Sequence, residues 1–207
     1  MKEQQRKQSK GSYHFQRSGG SKTDTLENKG YGKPIQPTGM ICSAFRNSDD
    51  ACTYLFNIPE NLFAVVSLRQ LAEILASVGA DNALMLDCHT LADEVENAVL
   101  KYGVVEHNGY GKMYAYECDG LGNNLLMDDA GTPGLVTIPY LGYKTAEDEI
   151  YSNSRRFALS SSNPYFYQSK IAEGIGSPHL AWKHAQMIWP IGIISRAITS
   201  TDNQEIR

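Results

Sequence analysis

Ile58-Pro-Glu-Asn-Leu-Phe63-Ala-Val-Val66-Ser-Leu-Arg-Gln-Leu71-Ala-Glu-Ile74-Leu75-Ala-Ser-Val78 reads as a helix. Phe63, Val66, Leu71, Ile74, Leu75 and Val78 recur at spacings of three and four, the period of a helical face. Pro59 is tolerated in a first turn but not in a helix interior. Asn57-Ile-Pro-Glu-Asn61 is therefore expected to join this helix to a shorter one starting at Asp49. A second helix is predicted over about 81–102, with Leu84, Leu91, Val95, Val99 and Leu100 on one side. A third is predicted over about 187–200, entered through Trp189-Pro190. Residues 112–127 alternate differently and predict a β-hairpin around the glycine turn Asp119-Gly-Leu-Gly-Asn123. No strand–helix alternation is present, which argues against a parallel α/β sheet. The expected class is all-α, an α-helical toroid with a small β-hairpin, long polar loops and a site at one end.

Residues 1–37, rich in Gly, Lys, Gln and Ser, are read as an N-terminal loop or tail ahead of a single domain over 38–207. Hydrophobic residues make up 42% and charged residues 20% of the 207, an ordinary balance for a globular chain. The net charge of -4 gives no sign of a general affinity for nucleic acid or an anionic membrane surface. No apolar run approaches the ~20 residues that span a bilayer, and no apolar segment follows the first lysines as in a signal peptide. A cytoplasmic location is the expectation that follows. Cys42, Cys52, Cys88 and Cys118 form no Cys-x-x-Cys pair and are expected to be buried free thiols. No Asp-x-Asp-x-Asp-Gly loop is present, and no metal site is expected. The pieces Gly120-Leu-Gly122 and Gly174-Ile-Gly176 lack the flanking strand and helix of a nucleotide-binding turn.

Candidate chemistry lies in the loops. Thr38-Gly-Met-Ile-Cys-Ser-Ala-Phe-Arg46-Asn-Ser-Asp49-Asp50 delivers an arginine and two carboxylates to a predicted helix start. In the plainer reading Ser48 caps that helix and the aspartates complement its dipole. In the functional reading, two adjacent carboxyls beside Arg46 can hold one acid protonated, as a glycosidase requires. Asp128-Asp129 in Met127-Asp-Asp-Ala-Gly-Thr-Pro133 is either a turn or a pair of acceptors for vicinal sugar hydroxyls. His179 sits in the glycine-rich stretch Gly174-Ile-Gly-Ser-Pro-His179 rather than on an apolar helix face. The aromatics Tyr165, Phe166 and Tyr167 either pack that loop or stack on a sugar, and Arg155-Arg156 is a surface pair or a clamp.

These blocks, in this order, resemble glycoside hydrolase family 125, the metal-independent exo-α-1,6-mannosidases. The likeness also runs through Tyr13-His-Phe-Gln-Arg17, Thr23-Asp-Thr-Leu26, Tyr116-Glu-Cys-Asp-Gly-Leu-Gly-Asn123, Pro139-Tyr-Leu-Gly-Tyr143, Asn163-Pro-Tyr165 and Ile188-Trp-Pro190. It covers about residues 11–207. The resemblance implies an (α/α)6 barrel that releases terminal α-1,6-linked mannose with inversion, on α-mannosides or N-glycan-type substrates, without a cofactor. It implies Asp49 as the general acid, with Arg46, Asp128, Asp129 and His179 in mannose-binding loops and Asp50 and Glu117 behind them. The implied ligand is a mannose-containing oligosaccharide, with no nucleic acid or membrane partner.

The chain also departs from that pattern. Family members have roughly twice this length for the one domain. A Met-Trp-Leu-Arg-Asp-Ser type block has no counterpart here, nor has the Met-His-Glu-Ser type block that would carry the general base. Glu205, in Asn203-Gln-Glu-Ile206, does not match the latter. Asn47 stands where a proline is usual, which is expected to loosen the loop, and the join over 180–187 also differs. The expectation is an incomplete toroid, truncated at both ends and impaired in catalysis, with apolar faces open to a complementary fragment of the same domain. A non-catalytic mannoside-binding module and a non-functional truncated product are the alternatives.

Overall fold

The computed structural model describes residues 1–19, 21–79, 82–180 and 186–206. Most of the divergent 180–187 join lies outside the described residues. In chain order the elements are α1 (Glu27–Gly30), β1 (Phe56–Asn57), α2 (Ile58–Ser77), α3 (Asn82–Tyr102), β2 (Val104–His107), β3 (Gly111–Tyr114), β4 (Glu117–Cys118), β5 (Asn124–Leu125), α4 (Glu149–Ala158), β6 (Phe166–Gln168), β7 (Glu173–Ile175), α5 (Pro190–Ile198) and α6 (Asn203–Ile206). The chain is mostly helical but carries three small antiparallel sheets, ordered β1-β4-β5, β2-β3 and β6-β7.

The central unit is the α2–α3 pair. Asn57 caps α2, its side chain accepting from the Glu60 amide at 3.0 Å, and Pro59 occupies the first turn, where a missing N–H costs nothing. The faces of these helices differ from the expectation. Ile58, Leu62, Val65, Leu68 and Ala72 of α2 are buried together with Leu91, Ala92, Val95 and Val99 of α3. Phe63, Leu71, Ile74 and Val78, which carry the sequence periodicity, face outward, as do Leu84 and Leu100. Both helices are thus apolar on two sides, and a stripe reading picks out only one. On α5 the contrast is sharper, because Gly192 and Ser195 face inward while Ile191, Ile193, Ile194 and Ile198 are exposed.

Three local expectations are overturned. Residues 49–57 are not a helix. Phe45 and Ala51 pair as an isolated antiparallel bridge, Arg46 N–H bonds the Asp50 carbonyl at 2.8 Å, and Asp49 adopts a left-handed φ of 69°. Ser48 therefore caps nothing. Residues 112–127 are not one hairpin either, since β3 pairs back onto β2 and the hairpin proper is β4–β5. The Asp119 carboxylate sets that turn by accepting from the amides of Leu121 and Asn123. Helix α4, started by the Asp148 side chain on the Tyr151 amide, is absent from the sequence reading because its ten residues are short and polar. It nonetheless buries Tyr151, Ser154, Phe157 and Ala158.

Segment 1–37 has little regular structure, as expected, yet it is packed. Gln5 is buried and donates to the Gly39 carbonyl at 2.5 Å, Cys42 N–H bonds Gln4, and Ala51 N–H bonds Thr23. All four cysteines are buried and free. No helix among the described residues is long and apolar enough to cross a membrane.

The two faces of α2 make a direct test. Leu62→Ala, in the sealed face, should cost about 2–5 kcal/mol of unfolding free energy in urea titrations. Ile74→Ala should stay within about 0.5 kcal/mol. Equal losses would mean that the outward face is covered in solution.

Candidate functional site

The site is built where the 38–50 loop meets the hairpin and the 127–136 loop. Asn61 of α2 grips the first part of the loop from both sides, accepting from Ile41 N–H at 2.8 Å and donating to the Ile41 carbonyl at 3.0 Å. The chain then sends Arg46 inward. Its Nε donates to Glu117 Oε1 at 2.6 Å, and its guanidinium lies 5.7 Å from the Tyr116 ring centre. Glu117 has no solvent exposure, and its second oxygen accepts from the amides of Thr53 and Tyr54 at 2.8 and 3.0 Å. Arg46 and Glu117 thus hold the 46–54 loop onto the hairpin, and neither lines the groove described below.

Four aspartates meet three kinds of surroundings. Asp128 is fully enclosed and accepts from Leu135 and Val136 N–H at 2.8 and 3.2 Å, so both oxygens brace its own loop. Burial pushes its carboxyl up to about 7, against the pull of those amides. Asp129 accepts from the Ser48 hydroxyl at 2.6 Å through one oxygen, while the other is sealed from solvent with no donor among the described residues. Burial raises its pKa, while the nearby hydroxyls of Ser48 and Ser177 and the charge of Arg46 oppose the shift and Asp50 adds to it. Asp50 is similar, with one oxygen 3.3 Å from His179 Nδ1 and the other sealed and without a hydrogen-bond partner among the described residues. Asp49 alone is exposed. Its left-handed backbone turns the chain so that Asp49 faces out while Asp50 faces in.

Asp49 and His179 share a groove of about 400 Å³ with Tyr13, Phe15, Arg17, Asp24 and Phe45. Phe15 packs edge-on against Phe45 at 5.3 Å, and Arg17 lies over Phe15. His179 stands edge-on to Trp189 with the ring centres 6.3 Å apart. The structure thus brings Asp49, Asp50 and His179 together, sets Asp129 beside Asp50, and turns Asp128 away. The sequence reading did not single out Tyr13, Phe15, Arg17, Asp24 or Phe45 as groove residues, although all five lie in blocks it had marked. It also missed Asn163, whose side chain bonds Asp128 N–H at 3.2 Å and the Ala158 carbonyl at 3.0 Å.

Asn47 corrects another expectation. Its Nδ2 donates to the Pro133 carbonyl at 2.5 Å, so it ties the two site loops together rather than loosening one. Gly131 makes room for it, since a Cβ there would stand 2.1 Å from Asn47 Oδ1. Arg155 and Arg156 lie away from the groove. Arg155 pairs with Glu205 at 2.7 Å and Arg156 bonds Tyr110 and Asn153, so both act as structural ties.

An exposed carboxyl among aromatics can pass a proton to a bound ligand. Two sealed carboxylate oxygens without donors are unusual, because an unmet buried acceptor costs about 1–3 kcal/mol. Neither Asp50 nor Asp129 lines the groove itself, so a ligand hydroxyl would meet these oxygens only once the groups covering them had moved.

The profile for metal-independent alpha-mannosidases (GH125) matches residues 1–207. The meiotically up-regulated gene 157 protein of Schizosaccharomyces pombe is 40% identical over 200 residues, covering 94% of this chain and 38% of that protein. A solved structure of a Streptococcus pneumoniae protein, from work on metal-independent alpha mannosidases, is a non-productive complex with alpha-1,6-mannobiose. It matches with a TM-score of 0.89 at 42% identity, over 94% of this chain and 45% of that one. The chain therefore spans less than half the length of either relative.

Arg46→Met should cost about 3–5 kcal/mol in urea unfolding because it strands a buried Glu117, and adding Glu117→Gln should recover part of that loss. Additive losses would show that the pair is not coupled. A pH effect should come from Glu60, whose carboxyl burial raises from 4.5 to about 7. A raised acid pKa means that the folded chain holds the proton more tightly than the unfolded one, so stability falls as pH rises from about 4.5 to 7. Glu60→Gln should make that part of the Tm profile between pH 4 and 8 shallower, with Asp128, which burial also raises to about 7, carrying the remaining slope of the same sign, whereas an unchanged slope would assign it to Asp128 or another group.

Proposed function

Because this chain belongs to glycoside hydrolase family 125, the metal-independent alpha-mannosidases, we propose that it carries the mannose-binding and acid side of an exo-α-1,6-mannosidase site. The observation that carries this reading is the shared groove of Asp49 and His179, with Asp50 held against His179 at 3.3 Å. Asp49, exposed in the groove, protonates the glycosidic oxygen of the departing sugar. Once the groups covering them have moved, Asp129 and Asp50 accept hydrogen bonds from hydroxyls of the terminal mannose, and His179 holds Asp50 in place while bordering the same ring. Arg46 and Glu117 position the loop, and Asp128 shapes the turn that presents Asp129. The α-1,6-mannobiose bound in the S. pneumoniae neighbour supports the ligand class.

Inversion needs a second carboxyl about 6.5–9.5 Å from the acid, activating water on the opposite face of the sugar. No stretch of these 207 residues resembles the expected base block, so the proposed chain binds mannosides but turns them over slowly. A positioned base is worth roughly 10²–10⁴-fold in rate. The 38–207 segment is then the incomplete (α/α)6 domain, and the outward faces of α2, α3 and α5 are where further helices of such a toroid pack. Those uncovered faces also favour the reading of a non-catalytic mannoside-binding module.

Titration calorimetry of the 207-residue chain with α-1,6-mannobiose tests the proposal. Saturable binding with little mannose release is expected. Asp129→Asn should weaken binding at least about tenfold, and Asp49→Asn should leave it within about twofold. Absence of any binding heat would reject the mannoside reading, and efficient turnover would reject the missing base.

A further inference from the structure

The groove at Asp49 does not stand alone. Tyr13 and Phe45 also border a second depression of about 460 Å³, which is lined in addition by Arg6, Ser43 and Glu60. Arg6 in turn borders a third, of about 230 Å³, with Lys10, Lys33, Tyr31, Asn28 and Ser9. The exposed acid's groove, the second depression and a cationic third one are thus neighbours, with Tyr13 and Phe45 between the first two and Arg6 between the last two. No carboxylate lines that cationic end among the described residues, although the whole chain is acidic by -4.

The cations there are held in place rather than loose. Arg6 has a left-handed φ of 53° and donates through Nη1 to the Tyr31 carbonyl at 2.8 Å. Its guanidinium lies 5.9 Å from the Tyr31 ring centre, and Lys10 Nζ lies 5.4 Å from the same ring. Lys33 stands over Tyr54 at 5.3 Å. The Arg6 Nε hydrogen is buried and has no acceptor among the described residues. Arginine and lysine fixed on aromatic faces around a donor without a partner make a cradle for a multivalent oxyanion. Serine and asparagine side chains supply neutral donors beside it.

We propose that this cationic end binds a phosphate group, and that the preferred ligand of the groove is a manno-oligosaccharide phosphorylated on its leaving-group side. The second part rests on the mannoside reading above, whereas the phosphate site stands without it. The terminal mannose sits at Asp49, the following sugars pass Tyr13 and Phe45, and the phosphate meets Arg6, Lys10 and Lys33. Among the described residues, Glu60 is the acid that lines the middle depression. Its raised carboxyl pKa of about 7 lessens repulsion at mildly acidic pH.

The experiment titrates the full chain by calorimetry with inorganic phosphate, with neutral α-1,6-mannotriose, and with the same trisaccharide bearing a phosphate on the anomeric O1 of its reducing-end mannose. The phosphorylated sugar should bind at least about tenfold tighter than the neutral one, and the gain should shrink in 0.5 M salt as exposed charges are screened. Lys10→Gln with Lys33→Gln, which removes no hydrogen bond to the backbone, should erase the gain and leave neutral binding unchanged. Arg6→Gln should do the same. Equal affinity for the two sugars, or a gain that survives both variants, overturns the proposal. Saturable binding of inorganic phosphate that the variants abolish, without binding of neutral mannotriose, keeps the phosphate site and removes the mannoside reading. No binding of phosphate in either form removes the phosphate site whatever the neutral sugar does.

Discussion

The Arg46–Glu117 ion pair is the constraint on which the site geometry depends. Both groups are withdrawn from water, an arrangement that is favourable only when the remaining hydrogen-bonding capacity is met. Glu117 meets that condition through two loop amides, and Arg46 through Thr53 and the face of Tyr116. The consequence is geometric. With Arg46 drawn down onto the hairpin, the residues after it must reverse within a few positions, and the bridge between Phe45 and Ala51 closes the loop. Asp49 takes the left-handed conformation at that reversal, and so the two adjacent aspartates part, one to solvent and one to the interior. A helix over these residues, which the sequence suggested, would have presented both to the surface.

Surroundings rather than residue type then divide the work among the carboxylates. Asp128 and Asp129 are neighbours of the same chemistry. The first accepts two amides of its own loop, and the second turns to Ser48 and keeps one oxygen without a donor. The Asn47 tether from the opposite loop to Pro133 fixes how closely these elements approach, and Gly131 leaves the space it needs. A proline at position 47 would lack that amide donor, so the loop here is held by a side chain where a rigid ring would otherwise limit the backbone.

The long helices were legible because a 3.6-residue repeat over some twenty positions has no other local explanation. Their orientation was not, because α2 and α3 carry apolar residues on both faces. Periodicity shows that Leu71 and Ile74 share a face without saying which way it points. Arg46, Asp50, Asp129 and His179 were legible as polar groups in glycine-containing loops, the usual place for a site. The difference between Asp128 and Asp129 was not, because it depends on amides seven or eight positions ahead and a hydroxyl from another loop. The groove wall contributed by Tyr13 and Phe15 was hidden for a related reason. A segment with almost no regular structure gives no periodic signal, even where backbone bonds such as Leu26 N–H to Phe15 and Ala51 N–H to Thr23 hold it against the site.

The same arrangement explains why a well-ordered site can coexist with incompletely covered helices. The loops that form the groove are braced from within by ion pairs, amide-to-carboxylate bonds and the Asn47 and Asn163 side chains, none of which involves the outward stripes of α2 or α3. Those stripes, with the isoleucines of α5, are stabilised only by what packs on them, and leaving them in water forgoes roughly 25 cal/mol for each Å² of apolar surface. Local polar bracing therefore sets the shape of the site, while global stability depends on apolar cover. Ligand recognition by the groove and persistence of the fold are for that reason separable properties, and a change on the isoleucine face of α5 would act on the second without touching Asp49, Asp129 or His179.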